Sequence, residues 1–428
     1  MIAVLICSLL VMLVFTVPIF AALAICTLIV FGMFFPGQNM DIMMAQTLVK
    51  CCDSFPLMAI PFFMLVGTLM SEGGLARKLV NVAEVLTGDR PGGLANAAIL
   101  ASMLFAAISG SGPATAAAIG GIMIPSMIKQ GYDRSFSASL LASSSTIGPV
   151  IPPSIPMITY SACIGCSTVA MFAAGVIPGI AMGVGLMIYN TLVSRKNDYR
   201  GNKSYTSREK TEALKSGIPA LLMPVIVLGG IYSGIFTPTE SAVVGCVYTL
   251  LVSAFVYKSL SWEGLKAALV DAGISSATIM LLFGGANTFG RVLTLGNVPN
   301  QIVDAIFSFT SNKFLILLII NILLLLAGMF IDTNSCVVLF SPIIVPLMTA
   351  MGYDLITAGV MIVVNLCIGM VTPPMGPDLF ITMKIADTPL QKVLPSATIQ
   401  IGIMYLVLAI LVLFPVTITF IPKLLGLM

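Results

Sequence analysis

The sequence has 428 residues, 58% of them hydrophobic, with only 20 basic and 17 acidic side chains, a net charge of +3 and no His. Soluble domains average roughly 45–50% apolar and about 25% charged residues, so this composition excludes a water-soluble enzyme, a disordered scaffold and a nucleic-acid binder. It reads as an all-α polytopic protein of the lipid bilayer, in which the missing imidazole removes the commonest metal ligand and proton relay.

In chain order, the run MIAVLICSLLVMLVF is apolar from its second residue and lacks the basic start of a signal peptide, so it reads as a first membrane helix. One helix over 2–35 would be about 51 Å long, against a hydrocarbon core of roughly 30 Å. Pro18 is therefore read as a break, giving 2–16 and 18–35. Further spans are expected near 54–70, 168–190, 216–234, 238–257, 271–290 and 396–421. The shorter pieces 37–53, 74–90, 258–270 and 297–312 carry charges and read as interfacial amphipathic helices. Trp262, in SWEGLKAAL, sits where an aromatic anchor belongs.

The polar stretch 191–215 holds Arg195, Lys196, Arg200, Lys203, Arg208, Lys210 and Lys215 against Asp198, Glu209 and Glu212, which makes it a cytoplasmic loop by the positive-inside rule. Counting spans from it places Arg77, Lys78, Arg90, Lys129, Lys258, Lys266, Lys384 and Lys392 on the same side and both termini outside. Cys163 and Cys166 form a CxxC with no companion Cys pair or His, so they read, like the other cysteines, as small apolar packing groups. The Met residues likewise read as packing. Glu240, in Thr237-Pro238-Thr239-Glu240, reads as a helix cap, and Arg291 as a side chain reaching the interface.

The two halves of the chain match at a single offset of 221 residues. It superposes Pro125 on Pro346, Gly131-Tyr132-Asp133 on Gly352-Tyr353-Asp354, Gly148 on Gly369, Pro152-Pro153 on Pro373-Pro374, and Pro156 on Pro377. Residues 1–190 and 216–428 then form two repeats separated by 191–215. Each has five net crossings, so the second lies inverted, an architecture of secondary transporters with midplane sites. In each repeat a short apolar segment turns back on itself: 93–129 through Ser109–Thr115, and 314–350 through Phe330–Ser335. Both read as re-entrant hairpins. The spans 132–166 and 353–386 are broken at Gly148–Pro156 and Gly369–Pro377, where proline supplies no N–H and leaves carbonyls free. Such backbone persists at membrane depth only inside protein or along a cavity.

Free carbonyls, hydroxyls and an Asn amide are hard oxygen ligands, and half-helix amino termini carry the positive partial charge a carboxylate needs. One cation site is assigned to Ser109, Ser111, Gly112, Gly148 and Val150; its counterpart to Asp332, Thr333, Asn334, Gly369, Val371 and Thr372. An anion site between them takes Ser111, Pro153, Ser154, Asn334, Pro374 and Met375. Na⁺ suits such donors better than zinc or copper; protons, through Asp332 or Asp378, are the alternative. Asp378 serves either there or as a cap for the helix that follows. No nucleotide-binding motif is present, so transport draws on an ion gradient or a separate subunit. A channel and an intramembrane enzyme are the competing classes; the inverted hairpins speak against the first, and no nucleophile–base pair supports the second.

The strings ISGSGPATAAAIG, STIGPVIPPSIPMITY, GMFIDTNS and VTPPMGPDLF, with the SWEGLKAAL arm, resemble the large membrane subunit of tripartite ATP-independent periplasmic (TRAP) transporters over essentially the whole chain. The resemblance implies an elevator-type secondary transporter of the bacterial inner membrane, with periplasmic termini, that couples Na⁺ to uptake of an acidic solute such as a C4-dicarboxylate or a sialic acid. It also implies two separate partners: a small four-helix membrane subunit and a periplasmic solute-binding protein. By motif, Ser109–Thr115 with Gly148–Pro156, and Asp332–Ser335 with Gly369–Pro377, would hold Na⁺.

Overall fold

The computed structural model describes every residue except 16, 36–39, 88–89, 200–204 and 311. In the first half the helices are α1 (Ile2–Val14), α2 (Ile19–Phe34), α3 (Met40–Cys52), α4 (Ala59–Glu72), α5 (Leu75–Thr87), α6 (Gly93–Ser109), α7 (Gly112–Lys129), α8 (Arg134–Ser145), α9 (Ile155–Ile164) and α10 (Thr168–Lys196). The second half holds α11 (Ser207–Tyr232), α12 (Pro238–Leu251, continued by a π turn Val252–Val256), α13 (Trp262–Leu295), α14 (Val298–Phe309), α15 (Lys313–Phe330), α16 (Thr333–Ala350), α17 (Leu355–Gly369), α18 (Pro377–Ala386), α19 (Leu390–Leu413) and α20 (Val416–Leu424). Among the described residues, seven helices are long and apolar enough to cross a membrane, or eight if α4 and α5, bent by 70°, count as one span. Pro18 separates α1 from α2 as its missing N–H requires.

The repeated Gly-Tyr-Asp has a local physical role in each half. Gly131 (φ +87°) and Gly352 (φ +93°) take the left-handed conformation that ends α7 and α16. Two residues later Asp133 accepts the Phe136 N–H at 2.9 Å, and Asp354 the Thr357 N–H at 2.8 Å, capping α8 and α17. Glu240 completes a capping box with Thr237 at the start of α12, as its spacing predicts.

Three stretches differ from the linear pattern. Residues 258–270 and 271–290 are not two pieces: α13 runs unbroken for 34 residues, about 51 Å. Its counterpart is interrupted between α3 and α4 at Asp53–Met58, where Pro56 stands; adding 221 to 56 reaches Ala277, which leaves the helix intact. The expected span 396–421 is broken at Phe414-Pro415 into α19 and α20. The polar segment 191–215 is helical at both ends, because Thr206 and Glu209 form a capping box that starts α11 inside it.

Packing is reciprocal between the halves. Shifted by 221, Gly112–Lys129 becomes 333–350, the bounds of α16, while α8 and α9 become 355–366 and 376–385, close to α17 (Leu355–Gly369) and α18 (Pro377–Ala386). α7 packs on α8 and on α18; its counterpart α16 packs on α17 and on α9. α4 packs on α12 while α2 packs on α13, and α8 lies on α19 while α17 lies on α10. At the centre stand α8 and α17, with Ser135–Ser145 and Ile356–Gly369 buried throughout. This crossing carries each hairpin to the broken helix of the other half.

Candidate functional site

The first hairpin turns at Gly110, which adopts φ +59°. A Cβ there would stand 2.5 Å from the Pro153 carbonyl oxygen, so only glycine lets the tip approach the proline loop this closely. The Ile155 N–H donates to the Gly110 carbonyl at 3.5 Å. Ser111 caps α7 by accepting the Ala114 N–H at 3.4 Å, and its carbonyl accepts the Thr115 hydroxyl at 2.7 Å. The Ser109 and Thr115 hydroxyls are 3.2 Å apart. Gly148 is pressed between two carbonyls: a Cβ would lie 2.8 Å from Ser111 O and 2.9 Å from Ser145 O. Ser109, Ser111, Gly112 and Gly148 thus meet, whereas the Val150 carbonyl lies against Gly175 of α10.

The second hairpin turns at Ile331-Asp332. Asp332 is exposed and caps α16, one carboxylate oxygen accepting the N–H groups of Asn334 at 3.0 Å and Ser335 at 3.1 Å and the other the Ser335 hydroxyl. Asn334 Oδ1 accepts the Thr159 hydroxyl of α9 at 3.4 Å, a contact between this tip and the first half's broken helix. In the loop behind, Gly369 abuts Gly328 of α15, and Val371 is buried. Thr372 donates its hydroxyl to the Ile368 carbonyl at 2.8 Å. Pro374 and Met375 are exposed, whereas Pro153 and Ser154 of the first loop are buried. Both Pro-Pro bonds are cis.

Between the tips lies a cavity of about 190 Å³. Its wall contains Ser111 and Gly112 from one tip and Asp332, Thr333 and Asn334 from the other. Gly148, Val150, Pro153 and Ser154 stand behind this wall, and Gly369, Val371, Thr372, Pro374 and Met375 also lie outside it. The wall adds Pro113, Pro149, Ile155, Pro156 and Met370, and it is closed by Met64 of α4 and Ile279 of α13. These last two carried no signal in the sequence, since an apolar residue in an apolar helix looks the same wherever it faces.

Three helices begin at this cavity: α7 at Gly112-Pro113, α9 at Ile155-Pro156 and α16 at Thr333-Asn334. Their dipoles lend it a positive character, although the Ala114, Ile155, Asn334 and Ser335 N–H groups are already taken by Ser111, Gly110 and Asp332. Among the described residues no Lys or Arg lines it, and helix dipoles of this kind favour a small anion. Among the described residues, Asp332 is the only charged side chain lining it. Hydroxyl and carbonyl oxygens fit a hard monovalent cation, and among the described residues no cluster of three or more His, Cys, Asp or Glu offers a transition-metal site. Asp378 does not cap its own helix. It is completely buried, and its Oδ2 accepts the Ser145 hydroxyl at 2.9 Å.

The chain is 40% identical over 365 residues to the isethionate TRAP transporter permease protein DctMQ of Oleidesulfovibrio alaskensis, covering 84% of this chain but only 58% of that longer protein. It is 38% identical over 379 residues to the C4-dicarboxylate TRAP transporter large permease protein DctM of Pseudomonas aeruginosa, covering 89% and 87% of the two chains. The fold resembles the crystal structure of the YdaH transporter of Alcanivorax borkumensis, with a TM-score of 0.66 at 11% identity over 94% of this chain and 98% of that one. Residues 6–424 match the family described as the tripartite ATP-independent periplasmic transporter, DctM component. The protein is thus no enzyme but a multi-pass membrane protein, and it belongs to the DctM family of TRAP transporter large permeases.

Proposed function

We propose that this chain is the transport subunit of an Na⁺-coupled importer of an organic acid, of C4-dicarboxylate or sialic-acid type, in the bacterial inner membrane. A periplasmic binding protein delivers the solute and a small four-helix membrane subunit completes the membrane complex. The observation that carries this reading is the meeting of three helix amino termini at one cavity whose wall has no basic side chain. An acid held there sits on helix dipoles, and Na⁺ bound at the tips and loops would supply the remaining positive charge. The isethionate and C4-dicarboxylate relatives are named for small acids.

The reciprocal packing supports two inverted repeats with re-entrant hairpins, 93–129 and 314–350, and broken spans, 132–166 and 353–386. In an elevator mechanism the piece containing both tips moves against the wall formed by α4 and α13. Ser109, Ser111, Gly112 and Gly148 hold one Na⁺, without Val150, whose carbonyl faces α10, and Asp332, Thr333, Asn334, Gly369, Val371 and Thr372 hold the other. Of the residues assigned to the solute, Ser111 and Asn334 line the cavity and serve it there, whereas Pro153, Ser154, Pro374 and Met375 lie outside its wall. In proteoliposomes containing all three components, uptake of the acid that the binding protein carries should require an inward Na⁺ gradient. Equal uptake without Na⁺ would remove the coupling.

A further inference from the structure

We infer that Asp378 is the charged ligand of a monovalent cation site enclosed by α7, α8 and α18, beyond the hydroxyl and carbonyl donors already assigned to the first tip and loop. Asp378 has no exposed surface, and its Oδ1 has no hydrogen-bond partner among the described residues. The single donor to its Oδ2, the Ser145 hydroxyl, also lies 2.7 Å from the Ala142 carbonyl, and one hydroxyl proton serves one of these acceptors at a time. A buried carboxylate this poorly hydrogen-bonded is costly unless a positive charge neutralises it. The basic side chains of the three enclosing helices stand at their far ends. Lys384 is six residues further along α18, about 9 Å; Lys129 closes α7; and Arg134, at the start of α8, bonds the Ala386 carbonyl at 3.1 Å.

Oxygen atoms converge beside this carboxylate. A Cβ on Gly112 would lie 2.6 Å from Asp378 Oδ2 and 3.2 Å from Oδ1, so the first residue of α7 rests directly on the carboxyl. The Ser111 and Ser145 carbonyls meet at Gly148, and that of Ser111 already accepts the Thr115 hydroxyl at 2.7 Å and N–H at 3.2 Å. The Ser145 carbonyl accepts one N–H, from Gly148 at 2.8 Å, leaving a second lone pair. Carboxylate, hydroxyl and carbonyl oxygens form a hard donor set. A single carboxylate balances one positive charge, whereas a divalent ion would leave a net charge buried; the set therefore suits a hard monovalent cation, for which Na⁺ is the probe. Because Ser111, Gly112 and Ser145 come from the first half and Asp378 from the second, the ion would fasten the first hairpin to α18. What the ion does in transport rests on the coupling proposed above; its binding does not.

The test uses the purified full chain in lipid nanodiscs, with ²²Na⁺ binding and melting temperature measured in NaCl against choline chloride at constant ionic strength. Asp378→Asn should lose one bound Na⁺ per chain, or raise its half-saturation at least tenfold, while melting no lower than wild type in choline, since a neutral amide replaces an unbalanced charge. Ser145→Ala, which keeps the carboxylate, should weaken Na⁺ a few-fold and guards against a folding defect in the first variant. Unchanged Na⁺ stoichiometry and affinity in both variants would overturn the role of Asp378 while leaving Na⁺ coupling intact. A wild-type chain that binds no Na⁺ would overturn both. A Na⁺-independent stabilisation at low pH, abolished by Asp378→Asn, would assign the carboxyl a proton and overturn the metal site.

Discussion

Asp332 and Asp378 are the two acids assigned to the proposed ion sites, and their surroundings divide their tasks. Asp332 is exposed at the cavity and already accepts two backbone N–H groups and a hydroxyl. Its carboxylate therefore fixes the start of α16 and lends negative charge to the second tip. Asp332→Ala should lower stability by about 1 kcal/mol as a lost amino-terminal cap, and should also raise the Na⁺ concentration that half-saturates uptake. Unchanged Na⁺ dependence in reconstituted uptake would take Asp332 out of the cation site. Glu240 is the contrasting case, a capping residue far from either tip in sequence. Glu240→Ala should lower the melting temperature while leaving the Na⁺ half-saturation untouched; both quantities can be read from one preparation. Asp332 was legible as an intramembrane acid flanked by Thr and Asn. The pairing of Asp378 was not, because its partner Ser145 lies 233 residues earlier and reaches it only through the packing of α8 on α18.

The elements that proline and glycine punctuate were readable from the linear pattern, and those that tertiary contacts decide were not. The helix ends between α6 and α7, α15 and α16, α8 and α9, and α17 and α18 are announced by Ser-Gly, Asp-Thr-Asn or Pro-Pro clusters, since missing N–H groups and left-handed turns act locally. The continuity of α13 was hidden because a charged, amphipathic first half and an apolar second half resemble two elements, and only the lack of a proline counterpart to Pro56 joins them. Met64 and Ile279 acquire their place at the cavity only from the packing of α4 and α13. The tip–loop contact gives a test at this scale. Gly148→Ala would place a methyl 2.8 Å from the Ser111 carbonyl and 2.9 Å from the Ser145 carbonyl. Neither neighbour is the flexible end of a side chain, so the tip must lift from the loop. Na⁺ affinity should fall at least tenfold, with a smaller loss from Gly121→Ala, where nothing lies within 4 Å of the added carbon. Equal effects of the two substitutions would show that the close approach at Gly148 is unrelated to ion binding.

The whole molecule joins two sets of helices at the cavity: the hairpins and broken helices on one side, and α4 with α13 on the other. Few of its charges lie at this junction; Asp332 lines it and Asp378 is buried behind Gly112. A core so poor in fixed charge suits an anion that arrives with its counter-ions, because neither partner then leaves an unbalanced charge behind when it moves. The proposed elevator requires one set to move past the other, and a cross-link between them tests it. Ile279 of α13 and Asn334 of the second tip line the same cavity. In a chain freed of its nine cysteines, Ile279→Cys with Asn334→Cys should join under a mild oxidant or a short bifunctional maleimide. Oxidation should abolish the uptake that the double variant retains in reductant, and reduction should restore it. Ile279→Cys alone should not respond to the oxidant, and Asn334→Cys alone, which removes an assigned ligand, sets the reduced baseline. Full uptake by the joined protein would mean that the tip and α13 keep their contact throughout transport, and the elevator reading would give way to a fixed-wall mechanism such as a channel.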